Sequence, residues 1–176
     1  MRTFLTFLVG FGALSVSAPA FAEDGDLHGK VMDLLLAYET PATAEDFQAL
    51  GPGVEAELMT VAKDSDLAIS KRTRAVQALA YVPSPEGRAY IEEVLADPAQ
   101  ESLMRRQAAI ALATGWPTDN HLPLTAALDD EDTQLRIAAA KALSMSKDPQ
   151  APAALEARLA IEENDAVKPH LSAAPE

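Results

Sequence analysis

Two columns of residues recur along the middle of the chain at nearly one interval. The first column consists of apolar pairs four positions apart: Leu58 with Ala62, Ile91 with Leu95, Leu124 with Leu128, and Leu155 with Leu159. The second consists of segments 72–79, 105–112 and 136–143, each beginning with Arg and ending with Leu. The leading Arg recurs after 33 and then 31 residues. Because residues four apart share one face of a helix, each unit predicts a first helix followed by a second, alanine-rich helix.

Helix-breaking residues fall where this repeat needs turns. Gly and Pro occur between units at 51–53, 83–87, 115–118 and 148–149, and acidic residues fill the turns within units at 64–66, 97–98, 129–132 and 162–165. Ser84-Pro85 and Asp148-Pro149 predict an N-cap followed by proline in the first helical turn. The predicted units are 23–53 (degenerate), 54–87, 88–120, 121–151 and 152–168 (truncated), with a tail at 169–176.

The order of apolar helix, acidic turn, Arg and then Ala-Ala-x-Ala-Leu resembles HEAT-like repeats, especially the short type of phycobilin lyases and many bacterial proteins. The resemblance covers about Val54 to Lys168. It implies an all-α fold, a right-handed α-solenoid of about four helical hairpins with a degenerate unit before them. TPR-like pairs are the closest competitor, but their large aromatic positions are missing. Pro169 follows Lys168, so the last unit is expected to lose its second helix and to leave an uncovered apolar flank.

Composition favours the same class, because 48% of residues are apolar but only 5% are aromatic. Residues 1–22 predict a secretory signal peptide, with Arg2, an apolar run and the small-residue site Ala20-Phe21-Ala22. The run is too short for a bilayer span, so we expect a periplasmic or secreted protein that is not inserted in the membrane after cleavage. A net charge of −13 argues against nucleic acid as a partner. The oligomeric state stays open.

Residues suited to catalysis or metal binding do not form a recognisable motif. Cysteine is absent, and His28, His121 and His170 lack metal-ligand spacing. The acidic turn 129–132 lacks the Gly and Glu positions of an EF-hand. We therefore expect neither catalytic residues nor a metal site nor a cofactor. Stacked acidic turns still leave open a cation-binding edge.

The recurring basic residues allow two interpretations, an anion site or a structural ladder that ties each turn to its neighbour. The resemblance implies the ladder. Its members would be Arg72, Arg105, Arg136, Asp64, Asp97 and Asp130. One Arg and one acidic turn per repeat is what stacking of similar units requires.

The side of the second helices opposite the alanines predicts a row on the inner, concave surface of the solenoid. Its members are Thr73, Gln77, Tyr81, Arg106, Ile110, Ile137, Lys141 and Met145. They combine apolar side chains with positive charge, although an ordinary mixed helix surface would look similar. Trp116, in a turn between units, can be a packing residue or a binding anchor.

These observations predict a non-catalytic protein-binding or scaffolding module of the cell envelope that acts through the concave helical face and binds a protein partner. Two alternatives remain: an accessory subunit of an envelope enzyme, and a cation-binding acidic solenoid. Solenoids provide extended binding surfaces without any catalytic residue, which favours the first interpretation.

Overall fold

The computed structural model describes residues 24–37 and 39–172, and the regular secondary structure within these ranges is helical. The helices are α1 (Asp24–Leu36), α2 (Ala44–Ala49), α3 (Val54–Lys63), α4 (Ile69–Leu79), α5 (Pro85–Ala96), α6 (Ser102–Gly115), α7 (His121–Ala127), α8 (Thr133–Met145), α9 (Ala151–Leu159) and α10 (Lys168–Leu171). The predicted signal peptide and residues 173–176 of the predicted tail lie outside the described residues. None of the described helices combines the length and the apolar character that crossing a bilayer would need.

One of the two helix starts predicted from a cap and a following proline is confirmed. The Ser84 side chain accepts a hydrogen bond from the Gly87 backbone N–H at 2.9 Å, and Pro85 begins α5 as predicted. The prediction for Asp148-Pro149 was wrong, because α9 begins later, at Ala151. The Asp148 carboxylate accepts from the backbone N–H of Gln150, which shapes the turn before α9.

Helices alternate between two layers, and successive helices along the chain form pairs. Layer A contains α1, α3, α5, α7 and α9, and layer B contains α2, α4, α6, α8 and α10. Neighbours within layer A contact each other in chain order, as do α4, α6, α8 and α10 of layer B. At the N-terminal end of the solenoid, the Phe47 ring of α2 packs against the Tyr81 ring, with 5.8 Å between the ring centroids. The chain is therefore an all-helical α-solenoid, as predicted.

The core lies between the layers and between the helices of layer B. Layer A contributes large side chains such as Leu58, Ile91 and Leu124, which are fully buried. Layer B contributes many alanines, including Ala108, Ala109, Ala111, Ala113, Ala138, Ala139, Ala140 and Ala142. Small side chains let helix axes approach closely, so the type of residue sets the spacing within each layer.

This difference in spacing curves the solenoid. Neighbouring helices contact each other far more extensively in layer B than in layer A. A double layer curves toward the side on which its helices are closer together. We therefore expect layer B on the inner side of the curve, so that the exposed side of α4, α6 and α8, here called the B face, lies on the concave surface.

The C-terminal unit differs from its prediction. We expected the second helix to be lost at Lys168-Pro169, leaving an apolar flank and a tail from residue 169. Instead, α10 forms a short second helix with Pro169 in its first turn, where the missing N–H costs no hydrogen bond. Leu171 is 1% exposed and α10 contacts both α8 and α9. Two side chains of this unit stay in solvent, since Leu159 is 37% and Ile161 68% exposed.

One prediction concerns the closest approach within layer B. A Cβ atom at Gly115, the last residue of α6, would lie 3.0 Å from the Ala80 Cα and 3.3 Å from its carbonyl oxygen. Backbone atoms cannot rotate away, so the two helices would have to separate. We expect Gly115→Ala to lower the free energy of unfolding by about 1–3 kcal/mol, as overpacking usually does, measured by urea unfolding.

Gly29 provides the matched control, because a Cβ there meets nothing within 4 Å. It lies inside α1, where alanine has the better helix propensity. Gly29→Ala should therefore stabilise the protein by about 0.5–1 kcal/mol. The close-approach argument fails if both variants are stabilised to the same degree.

Candidate functional site

The predicted row of binding residues lies mostly on the B face. Gln77, Lys141 and Met145 are exposed, the last by 62%. Four others are half-buried: Tyr81, Arg106, Ile110 and Ile137. The row therefore presents a mixture of apolar and polar groups to solvent.

Thr73 is a correction, because it is 6% exposed. Residues three apart are neighbours on a helix, and Thr73 shares its side of α4 with the fully buried Val76. The Thr73 hydroxyl donates to the Ile69 carbonyl oxygen at 2.9 Å. The buried side of α4 is wider than its sequence pattern predicts, since a second-layer helix is covered by neighbours on both flanks.

Tyr81 follows the end of α4, and it borders a pocket that the sequence did not predict. The pocket has a volume of about 200 Å³ and lies between the end of α1, residues 41–42, α2 and α4. Its lining includes Leu34, Leu35, Phe47, Arg74, Gln77 and Tyr81. Arg74 Nη1 donates to the Leu35 carbonyl oxygen at 2.6 Å, which fixes one wall. No repeat signal could have indicated this pocket, because half of it comes from the degenerate N-terminal unit.

Charge is divided between the two sides of the solenoid. Helices α4, α6 and α8 contain no Asp or Glu, and they carry seven of the chain's 14 Lys and Arg residues. Acidic residues lie instead in α1, α2, α3, α5 and α9 and in the turns between helices. The B face is therefore free of carboxylates within a strongly acidic protein.

The arginines predicted to form a ladder connect neighbouring units. Arg105 donates to the Leu95 carbonyl oxygen at 3.0 Å and to Asp130 Oδ2 of the next unit at 2.6 Å. Arg136 donates to Glu162 Oε2 of the following unit at 3.1 Å. These side chains link the acidic turn of one repeat to the helix of the repeat before it.

Two of the predicted ladder acids have other partners. Arg72 donates to Glu101 Oε1 at 2.9 Å, and Glu101 was not among the predicted ladder acids. The carboxylates of Asp64 and Asp97 accept from backbone N–H groups two residues later, at Asp66 and Ala99. In this way they shape their own turns. Asp130 does the same through the Asp132 backbone N–H, but its other oxygen also accepts from Arg105.

Glu162 is the most constrained carboxylate of the ladder. Its side chain is 3% exposed and accepts from Arg136, from Arg158 at 2.8 Å and from the Asn164 backbone N–H at 2.9 Å. Although burial opposes ionisation, these hydrogen bonds lower the pKa of Glu162 to about 2. Burial likewise opposes ionisation of Asp130, but Arg105 holds the pKa of that carboxyl below its ordinary value.

Asp148 is buried in a polar cluster that joins two turns. Its carboxylate accepts from the backbone N–H groups of Gln150, Asn120 and His121, and lies 2.8 Å from His121 Nδ1. The Gln150 hydrogen bond, helped by those from His121 and Asn120, holds the pKa of Asp148 well below its usual range despite burial. The cluster positions the start of α7, which is a structural role.

Trp116 directly follows α6 as its C-cap residue, and its partly buried side chain packs against the core. That contact supports its interpretation as a packing residue.

The described residues contain no group of three or more His, Asp or Glu side chains placed to hold a metal ion. Two of the histidines lie within hydrogen-bond distance of a single carboxylate each: His28 Nδ1 is 2.6 Å from Glu57 Oε1, and His121 Nδ1 is 2.8 Å from Asp148 Oδ2.

The comparisons with known proteins agree with this geometry. Residues 104–173 match the family described as HEAT repeats. Over these residues the repeats are HEAT-like. The match spans α6 to α10 and includes the C-terminal unit that looked truncated in the sequence. No curated protein matches the chain.

A further prediction concerns acid stability. The pKa of Glu162 is lower in the folded state than its ordinary value near 4.3, so its stabilising contribution is present above about pH 4.3 and is lost as the pH falls toward 2. We expect Glu162→Gln to lower the free energy of unfolding at pH 7 by about 1–3 kcal/mol. Between pH 5 and pH 2.5 the variant should lose less stability than the wild type.

The control is Glu163→Gln, which changes the exposed neighbouring residue. It should leave both the stability at pH 7 and its pH dependence nearly unchanged. Urea unfolding of the three proteins at several pH values measures both effects. Parallel pH curves for wild type and Glu162→Gln would show that the ladder does not depend on this carboxylate.

Proposed function

We propose that this protein is a non-catalytic protein-binding or scaffolding module of the cell envelope, and that it holds its partner on the B face. HEAT-like repeats suggest a protein-interaction or scaffold role. Such repeats build long curved surfaces on which many weak contacts can add up without any reactive group. The proposal needs a surface that differs from the rest of the molecule.

The observation that carries the proposal is a group of apolar side chains on the concave side, where α4, α6 and α8 carry no carboxylates. Met145 is exposed, Ile110 and Ile137 are half-exposed, and the pocket beside Tyr81 continues this surface toward the N-terminal end. Apolar side chains grouped on a concave surface are typical of protein-binding sites. A flat or convex surface would bury less of a partner for the same number of residues.

The alternatives have less support. A cation-binding edge would need free carboxylates, but Asp130 pairs with Arg105, and Asp132 accepts hydrogen bonds from Ser102 and from the Gln134 backbone. An accessory subunit of an envelope enzyme would use the same face for its enzyme partner. It is therefore a special case of a binding module, and only the identity of the partner separates the two.

A photo-crosslinking experiment tests the proposed face. A benzophenone amino acid replaces Met145 or Ile110 on the B face or, as the control, Leu122 on α7, which is 72% exposed. In the organism that makes the protein, illumination should yield adducts of discrete mass from the two B-face positions. Adducts from Leu122 alone, or from none of the three positions, would contradict the proposal.

The envelope location is a separate part of the proposal, and it rests on residues 1–22. The apolar run before Ala20-Phe21-Ala22 resembles an export signal, with small residues at the two positions that signal peptidase recognises. We expect N-terminal sequencing of the native protein to find Glu23 as the first residue. Ala22→Phe should block cleavage. An intact N-terminus on the wild-type protein, or recovery from the cytoplasm, would remove the export argument.

A further inference from the structure

We propose that the B face binds an acidic polypeptide segment of the partner, with apolar side chains between its carboxylates. This inference rests on the proposed function and specifies the chemistry of the partner. Three observations support it: the distribution of charge, the set of cations that already form ion pairs, and the spacing of the layer-B helices.

The absence of carboxylates from the B face departs strongly from the average composition. Helices α4, α6 and α8 have 11, 14 and 13 residues. With 27 acidic residues among 176, a set of 38 residues of average composition would contain about six (38 × 27/176), yet these helices contain none. Helix formation does not explain this, because Glu is a good helix former and α3 and α5 contain several. The composition instead suits a surface that meets negative charge.

Five of the seven cations of α4, α6 and α8 fall into two sets. Arg72, Arg105 and Arg136 donate to acidic turns and carry the ladder. Lys141 is exposed, and Arg106 donates to the Ser102 carbonyl oxygen at 3.3 Å. Among the residues that the structure describes, no carboxylate lies within ion-pair distance of either one. Arg106 does act on the Asp132 carboxyl, whose pKa is lowered mainly by the Ser102 hydroxyl and to a smaller extent by this charge. Within the described part of the chain, neither cation is held in a direct ion pair, so both can meet a ligand.

Apolar groups lie beside these charges. Ile110 is one turn after Arg106 on α6, and Lys141 lies between Ile137 and Met145 on α8. At the α4 end, the pocket next to Gln77 and Tyr81 has room for one side chain. A segment that pairs its carboxylates with Arg106 and Lys141 therefore also places neighbouring side chains against apolar surface.

Helix spacing sets the repeat of the bound segment. Packed helices lie about 8–10 Å apart, and an extended chain advances about 3.3 Å per residue. A segment crossing the B face should therefore meet a new helix about every three residues. We expect carboxylates about three residues apart, followed about three residues later by an apolar side chain in the pocket.

Other charged partners fit less well. A basic segment would be attracted to the acidic turns and to layer A, and it would meet Arg106 and Lys141 on the B face. A nucleic acid needs many phosphate contacts, and Arg106 and Lys141 provide only two. A second copy of this chain could offer its own acidic turns, and the experiment includes that outcome.

The test uses three fluorescein-labelled peptides of 12 residues, measured by fluorescence anisotropy with the purified protein. One peptide has Glu at every third position and Leu between, and in the others Gln or Lys replaces Glu. Two available cations predict that the Glu peptide binds at least about fivefold more tightly than the Gln peptide, since an exposed ion pair contributes up to about 1 kcal/mol. The Lys peptide should bind most weakly on the B face.

Two charge reversals locate the binding site. Lys141→Glu, on exposed surface of α8, should weaken binding of the Glu peptide at least about fivefold, because an attraction becomes a repulsion. Lys63→Glu changes the net charge equally but lies in α3 of layer A. It should alter the affinity less than about twofold, since charges on the opposite layer are screened by salt. Circular dichroism checks that both variants are folded.

Each remaining outcome overturns the inference in a distinguishable way. Equal weakening by the two reversals would show an effect of total charge and not of the B face. Tighter binding of the Lys peptide would point to the acidic layer. Self-association that Lys141→Glu abolishes, without peptide binding, would make a second copy the occupant. If no peptide binds while Met145 still crosslinks to a partner, the acidic segment is wrong and the proposed function stands.

Discussion

The helices of layer B lie close together because alanine and glycine occupy the positions between them. At Gly115 the approach is tight enough that one added methyl group would meet the Ala80 backbone. Layer A is lined with larger side chains such as Ile91 and Leu124, so its helices cannot approach to the same degree. The resulting difference in spacing curves the solenoid and turns the B face inward.

The ladder keeps the repeats in register along that curve. Alanine surfaces are smooth and allow neighbouring helices to slide past each other. An Arg that donates both to a carbonyl oxygen of its own unit and to a carboxylate of the next unit fixes the two units in one relative position. Arg105 does this through Leu95 and Asp130. At the C-terminal end, Glu162 joins Arg136 to Arg158, so the last unit is held although its second helix has only four residues.

Because the ladder gathers carboxylates into the turns, it also separates charge. The acids lie at the edge where each layer-B helix begins, and the ladder arginines point toward that edge. What remains on the B face is apolar surface with Lys141 and Arg106. A structural requirement of stacking thus leaves the concave side with a different chemistry from the rest of an acidic protein.

The sequence by itself determined the helical class, the repeat interval and most of the B face, because these depend on local spacing along each helix. The arginine of each unit could be identified in the same way. The tertiary structure decided which acids pair with the ladder arginines and where the buried side of each helix ends. Glu101, which was not a predicted member of the ladder, is the partner of Arg72, and Thr73 is buried, since both depend on how adjacent units stack.

The ends of the solenoid show the same division. The last unit looked truncated because Pro169 breaks a long helix, yet a proline is compatible with the first turn of a short helix, and burial of Leu171 against α8 and α9 stabilises it. The pocket beside Tyr81 combines residues of α1, α2 and α4 that share no sequence pattern. Only contacts between distant segments could create it, and local periodicity carries no information about those.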